Sequence, residues 1–289
     1  ERATFGATDG VNAWIGWALT SPQIFLLAIS TLGVLAQIVA TMNKGKQPLR
    51  GGLFIGIGVM STALIGTVTQ SFYSLQLDGE LNDVAKQFEL IQKNLLDSKS
   101  GLLYHGWDES KEMAWANKET GTSPNFWSRS LGWYAMALVD ALDYFPENHP
   151  KRGELILYLN SLSNTLLKYQ HSSGLWYQVT DQGDREGNYL EASGSSMFAY
   201  AFAKGANKGY LPAKYKKLAN KAFDGLTTVL IKKVDEDGGI TLTNCCQVAG
   251  LGGNPYRDGS YEYYVNERKK DNDPKATGPF ILAALELNR

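Results

Sequence analysis

The chain has 289 residues, enough for one large domain or two smaller ones, with a formal net charge of −1 and 20% charged residues. Neither value suggests a nucleic-acid partner, which would favour a basic stripe. Aromatic residues make up 11%, with seven Trp and fifteen Tyr mostly after Tyr73, which suits a core and also sugar binding, because flat rings stack on the apolar faces of pyranoses.

From Gly10 to Asn43 there are 34 residues without a charged side chain, and from Gly51 to Leu77 there are 27 more. The connecting Lys44-Gly-Lys-Gln-Pro-Leu-Arg50 is basic and turn-rich. A bilayer core takes about 20 apolar residues as helix, so residues 1–72 read as a transmembrane helical hairpin, associated with the membrane through residues 12–70. Gly52, Gly56, Gly58 and Ser61 would let the two helices approach closely. The competing reading is two buried helices of a soluble domain. Lys44, Lys46 and Arg50 in the loop predict that it is cytoplasmic, which puts both termini and the following domain outside the cytoplasm.

Residues 73–289 carry helical periodicity. Val84, Phe88, Ile91 and Leu95 mark one face of a helix over 83–96. Further helices are predicted over 127–144, 154–169, 193–208, 212–234 and 274–287, with Pro212 and Pro274 at first turns, where proline is tolerated. A weak repeat runs through them. Ser100-Gly-Leu-Leu-Tyr104 recurs as Ser173-Gly-Leu-Trp-Tyr177, and Asp237-Gly-Gly-Ile-Thr-Leu242 resembles both. The repeating unit is two antiparallel helices and a short extended loop. Stacked around an axis, such units make an all-α α/α toroid whose loops line a cleft; three of them are half of a six-hairpin ring.

Three loops concentrate chemistry. Tyr104-His-Gly-Trp-Asp-Glu109 holds an imidazole, an indole and two carboxylates. Ser123 to Trp133 brings Trp127, Arg129 and Trp133 to the start of an apolar helix. A buried Arg there needs an anionic partner, either a ligand carboxylate or a structural one such as Asp140. Trp127 and Trp133 are six apart and do not share a helical face, so at least one is expected in the core. Gly250 to Tyr264 is a Gly-rich loop with four tyrosines, a candidate lid or cleft wall, or simply a turn. The adjacent Cys245 and Cys246 match no zinc or redox spacing, and three His argue against a His-rich metal centre, so no metal or cofactor is expected. Asp108, Glu109, Asp140, Glu191, Asp258 and Glu262 are available for the paired-carboxylate chemistry of glycoside hydrolysis.

The stretches LLYHGWDESKEMAWANKETGTSPNFWSRSLGWYAMALVD, GLWYQV, NYLEASGSSMFAYAFAKGANKGYL and NDPKATGPFILAALEL resemble the unsaturated rhamnogalacturonyl hydrolases, glycoside hydrolase family 105. The likeness runs from about Phe88 to the C-terminus. It implies an (α/α)6 barrel, here incomplete, and action on the terminal unsaturated galacturonic acid that pectin lyases leave on rhamnogalacturonan oligosaccharides. An aspartic acid protonates C4 of the C4=C5 enol ether, water adds at C5, and the hemiketal opens and releases the sugar, without a metal. By the same resemblance His105, Trp127, Arg129 and Trp133 bind substrate. The catalytic Asp belongs in a segment upstream of the His, where Gln76-Leu-Asp-Gly79 is the one similar stretch, so Asp78 is the candidate acid. The N-terminal half of the barrel has no match.

Two functions follow. One is a membrane-anchored unsaturated glycuronyl hydrolase. The other is a catalytically inactive half-toroid that binds acidic oligosaccharide or only packs. Either leaves an apolar toroid edge, which predicts self-association to complete the barrel.

Overall fold

The computed structural model describes residues 77–234 and 239–289. Helix α1 (Leu77–Leu95) is followed by α2 (Ser128–Ala141), α3 (Arg152–Lys168), α4 (Ala192–Asn207) and α5 (Lys214–Gly225). A five-residue π-turn at Leu226–Leu230 leads into strands β1 (Ile231–Val234) and β2 (Gly239–Leu242); α6 (Tyr261–Asn266) and α7 (Pro274–Leu287) complete the chain. Among the described residues no helix is long and apolar enough to cross a membrane. The expected membrane hairpin, residues 1–72, lies outside the described residues.

Helix α4 is the axis of the packing. Its sequence ASGSSMFAYAFAKGAN is buried over 14 of its 16 residues, so it has no solvent face, and small side chains let neighbours come close. α2 and α7 lie against it on the inner row, with α5 behind it and α3 behind α2. α1 joins α2 through Phe88 and Gln92, which meet the Tyr134 ring and hydroxyl. Inner and outer helices alternate along the chain, the half-toroid expected from the repeat. Where α2 crosses α4 the backbones nearly touch: a Cβ at Gly132 would sit 2.8 Å from Met197, and one at Gly194 would sit 2.6 Å from Ser128 Oγ. The core of this layer includes Trp176, Phe198, Phe202 and Tyr215, with ring centroids 5.0–5.9 Å apart.

The repeated loops take the same turn twice. Gly101 and Gly174 have φ of +78° and +94°, each two or three residues before an aromatic that enters the core side. The third copy begins outside the described residues and continues as β2.

The helix expected over 212–234 stops early. Thr227 and Thr228 both turn their hydroxyls back to Asp224 O, competing with the helical ladder, and Ile231–Val234 then pairs as a strand. The all-α expectation therefore gains a two-stranded hairpin, Ile231 opposite Leu242 through Val234 opposite Gly239. Helix α1 starts at Leu77 rather than near Asp83. α7 is capped by Asp273, which accepts from Lys275 N, and carries Ile281, Leu282 and Leu285 as an exposed apolar row.

Two helix glycines give opposite expectations. Gly132→Ala forces α2 away from Met197 and costs about 1–3 kcal/mol. Gly278→Ala meets nothing within 4 Å in α7 and stabilises by up to about 1 kcal/mol through helix propensity. Urea titration of both variants reads the two signs.

Candidate functional site

Extended segments lie side by side where the inner helices begin. Ser128 N donates to Gln178 O and Thr180 N to Phe126 O, so the strip before α2 pairs with residues 178–180. Gln178 N and Glu191 N donate to Tyr189 O and Trp176 O, which adds the strip before α4. His105 N donates to Asn125 O and brings in the first loop. These short ladders carry the candidate residues to one place.

Trp127 is the N-cap of α2 and is 2% exposed, its indole N–H donating to Gln178 Oε1 at 3.0 Å. Its ring lies 4.7 Å from His105 and 5.8 Å from Trp133, centroid to centroid. Trp133, one turn and a half along α2, is 49% exposed. Of the two indoles one is therefore core and one is open to solvent. His105 Nδ1 lies 2.5 Å from Tyr264 Oη, and Gln178 Nε2 donates to Tyr264 O. Trp127, Tyr264, Tyr261, Val179, Cys246 and Ala249 make a small apolar cluster separate from the main core, a firm bed under the imidazole. Tyr264 was marked in sequence only as one of four tyrosines in a Gly-rich loop; its place against His105 is a tertiary fact.

Arg129 is 1% exposed. Its structural carboxylate is Glu191, at 3.5 Å, and not Asp140, which instead holds Lys204 and Tyr200 at 2.6 Å each. Nε donates to Ser193 Oγ, and Nη2 donates to Cys246 O. The guanidinium lies 4.9 Å from the Trp127 ring centroid, which adds a cation–π contact. Glu191 is fully buried and accepts from Ser193 Oγ, Gly194 N and Cys246 N at 2.7–3.0 Å, so its charge is satisfied on every side. Burial and the nearby Glu191 charge push the Cys245 and Cys246 thiols up to about 12 and about 11, which keeps them protonated and unreactive.

Three of the other candidate carboxylates, Asp108, Asp258 and Glu262, have structural work. Asp108 accepts from Met113 N, Ser110 N and Ser110 Oγ, and these bonds hold its carboxyl below the usual range. Asp258 accepts from Ser260 N, and Glu262 pairs with Arg185 at 2.6 Å. Asp78 lies in the first turn of α1, and its side chain lies outside the described residues. The described neighbours of His105 therefore bring it aromatics and a phenol rather than a carboxylate.

An apolar groove of about 350 Å³ opens between α1 and α2, walled by Phe88, Ile91, Leu95 and Leu131, with His105 and Trp133 also lining it. A second, more polar hollow of about 320 Å³ adjoins it across Tyr104, with Trp115, Asn117, Thr122 and Ser123 in its walls.

Burial lowers the His105 imidazole to about 4, so it is neutral near pH 7 and acts as a hydrogen-bonding group rather than a cation. Between about 6.5 and 4 the unfolded chain takes a proton that the native state refuses, so native stability falls as pH is lowered through that window. The thermal midpoint of the parent chain is expected to drop more between about pH 7 and pH 4.5 than that of His105→Gln. Glu191→Gln leaves Arg129 buried without its counter-charge and costs about 3–5 kcal/mol, measurable by denaturant titration.

Comparison with known proteins agrees with this architecture. Residues 68–289 match the family model Glycosyl Hydrolase Family 88, twenty residues further toward the N-terminus than the resemblance visible from Phe88 onward. Protein Atu3128 of Agrobacterium fabrum is 39% identical over 211 residues, 71% of this chain and 90% of that one. The unsaturated rhamnogalacturonyl hydrolase YesR of Bacillus subtilis is 28% identical over 58% of this chain and 43% of its own length. A solved structure of a glycoside hydrolase from family 105 of C. acetobutylicum ATCC 824 is 47% identical, with a TM-score of 0.72, and covers 78% of this chain. This chain spans 62% of that one. With the family model covering well over half of the sequence and the helical hairpins arranged as in the solved relative, the chain belongs to Glycosyl Hydrolase Family 88.

Proposed function

We propose that the chain hydrolyses a terminal unsaturated galacturonic acid from rhamnogalacturonan oligosaccharides by hydration of the C4=C5 enol ether. The observation that carries this reading is the convergence of a neutral, hydrogen-bonded His105 with the Trp127 and Trp133 rings at one end of the inner helices. An unsaturated uronate is flat around its double bond, and an exposed indole such as Trp133 offers it a flat partner. Tyr264 holds one imidazole nitrogen and leaves Nε2 for a substrate oxygen. Arg129, 1% exposed and paired with Glu191, acts in this reading by keeping Trp127 and the α2 N-terminus in register.

The chemistry needs one carboxyl group. Asp78, in this reading, gives its proton to C4 and then accepts one from the water that adds at C5. The C5 hemiketal opens to a ketone, the ring oxygen takes a proton, and the resulting hemiacetal at C1 collapses to release the leaving sugar as an alcohol. Atoms balance with water as the only co-reactant. Attachment to a membrane through residues 12–70, with the helical region outside the cytoplasm, rests on the two uncharged runs and is part of the proposal, as is self-association, supported by the open apolar row on α7.

Loss of the enol-ether ultraviolet absorbance follows the reaction directly. Asp78→Asn is expected to lower kcat/KM by about 10²–10⁴-fold. Unchanged turnover removes Asp78 as the acid. Folded protein with no turnover overturns the hydrolase reading. If that protein still binds the disaccharide, and Trp133→Ala abolishes the binding, the chain is an oligosaccharide-binding module.

A further inference from the structure

We infer that Gln178 and Tyr264 are positioning residues that lock the His105 ring with its hydrogen on Nε2, so that His105 donates a hydrogen bond to substrate and does not act as a base. The lock stands on geometry of its own; that the free nitrogen meets a substrate oxygen rests on the hydrolase reading.

The lock begins with a phenol that has one place to put its hydrogen. Tyr264 is fully buried, so its hydroxyl has no water to bond. Burial also raises its pKa, which keeps it protonated. The hydroxyl has a single partner among the described residues, His105 Nδ1 at 2.5 Å. If Nδ1 carried a hydrogen, the imidazole would be the donor, and the phenolic hydrogen would be buried without an acceptor. With Nδ1 as acceptor both groups are satisfied. His105 is neutral near pH 7, and a neutral imidazole has one N–H, so that hydrogen lies on Nε2. Nε2 has no partner among the described residues, and His105 lines the apolar groove between α1 and α2.

Gln178 holds the phenol in place. It is fully buried in the paired strips, its backbone O accepting from Ser128 N and its N donating to Tyr189 O. Its side chain bridges two of the rings around the imidazole. Oε1 accepts from Trp127 Nε1 at 3.0 Å, and Nε2 donates to Tyr264 O at 3.1 Å. An indole N–H only donates and a backbone carbonyl only accepts, so the amide has one orientation. Trp127 lies 4.7 Å from the imidazole and 6.3 Å from the Tyr264 ring, centroid to centroid. One side chain therefore fixes both the ring on which His105 packs and the residue that carries its partner.

A ring locked this way discriminates between ligand atoms. It favours an oxygen that only accepts, such as a carboxylate or ether oxygen, and offers nothing to a group that must donate. Proton removal from water is left to the carboxyl group of the proposed chemistry.

Nitrogen-15 NMR of histidine-labelled protein near pH 7 reads the tautomer without substrate. The signals of the three His are assigned with His105→Gln. The parent chain is expected to carry the His105 hydrogen on Nε2. Tyr264→Phe keeps the ring and removes the donor, and should raise the Nδ1–H population at least about fivefold, the worth of one ordinary hydrogen bond. Gln178→Met keeps the volume, removes both amide bonds and should raise it by a smaller factor. Turnover reads the donor role. Gln places an amide N–H near the Nε2 position and Asn places one near Nδ1, so kcat/KM of His105→Gln should exceed that of His105→Asn by about tenfold. Hydrogen on Nδ1 in the parent chain overturns the inference, as does a population unmoved in Tyr264→Phe. Movement in Tyr264→Phe without movement in Gln178→Met removes Gln178 from the lock. His105→Asn equal to or better than His105→Gln overturns the donor role. The expected tautomers in a folded chain without turnover refute the hydrolase reading and leave the lock standing.

Discussion

The buried carboxylate of Glu191 is the constraint around which the rest of the described structure is arranged. A charge with no access to water is tolerated only when every lone pair is met. Here the partners come from three separate parts of the chain: the first turn of α4 through Ser193 and Gly194, α2 through Arg129, and the segment after the β-hairpin through Cys246 N. Pairing Glu191 thus fixes where two inner helices begin and where the returning segment crosses them. Residues 245–247 in turn pair with 268–270, which carries the constraint on toward α7.

The functional geometry depends on this knot. Arg129 lies under the Trp127 ring, Trp127 packs against His105, and Tyr264 closes the cluster from α6. None of these side chains is held by its own helix alone. Each is positioned by a neighbour that answers, directly or through one residue, to the Arg129–Glu191 pair. The surface of the candidate site is thus the outer skin of a buried electrostatic network, with Trp133 as its exposed part.

The first loop shows how a polar, exposed segment becomes a rigid wall. Asp108 and Asn117 close turns within it, Lys111 and Lys118 tie its carbonyls, and Trp107 Nε1 donates to Thr120 O. The Gly-rich loop then clamps it through Tyr256 and through Leu251, which fills the space over Gly106. Such wiring lets a loop present an aromatic face without the ordering cost falling on ligand binding.

The sequence by itself determined the helical hairpins, their repeat and the family. The 3.6-residue periodicity of 83–96, the small-residue composition of α4 and the paired Ser-Gly-Leu loops are local signals, because helix faces and positive-φ glycines are chosen within a few residues. It also put His105, Trp127, Arg129 and Trp133 on one short list through their resemblance to family motifs. It did not decide which of the two indoles is buried, that Arg129 pairs with Glu191 rather than Asp140, or that Tyr264 meets His105 across 159 residues. Those choices depend on which charges and rings meet when distant segments pack, and no local pattern encodes a contact between them. The strand at Ile231–Val234 was hidden for the same reason: Ile-Lys-Lys-Val reads as a helix end or as a strand until its partner at Gly239–Leu242 is in place.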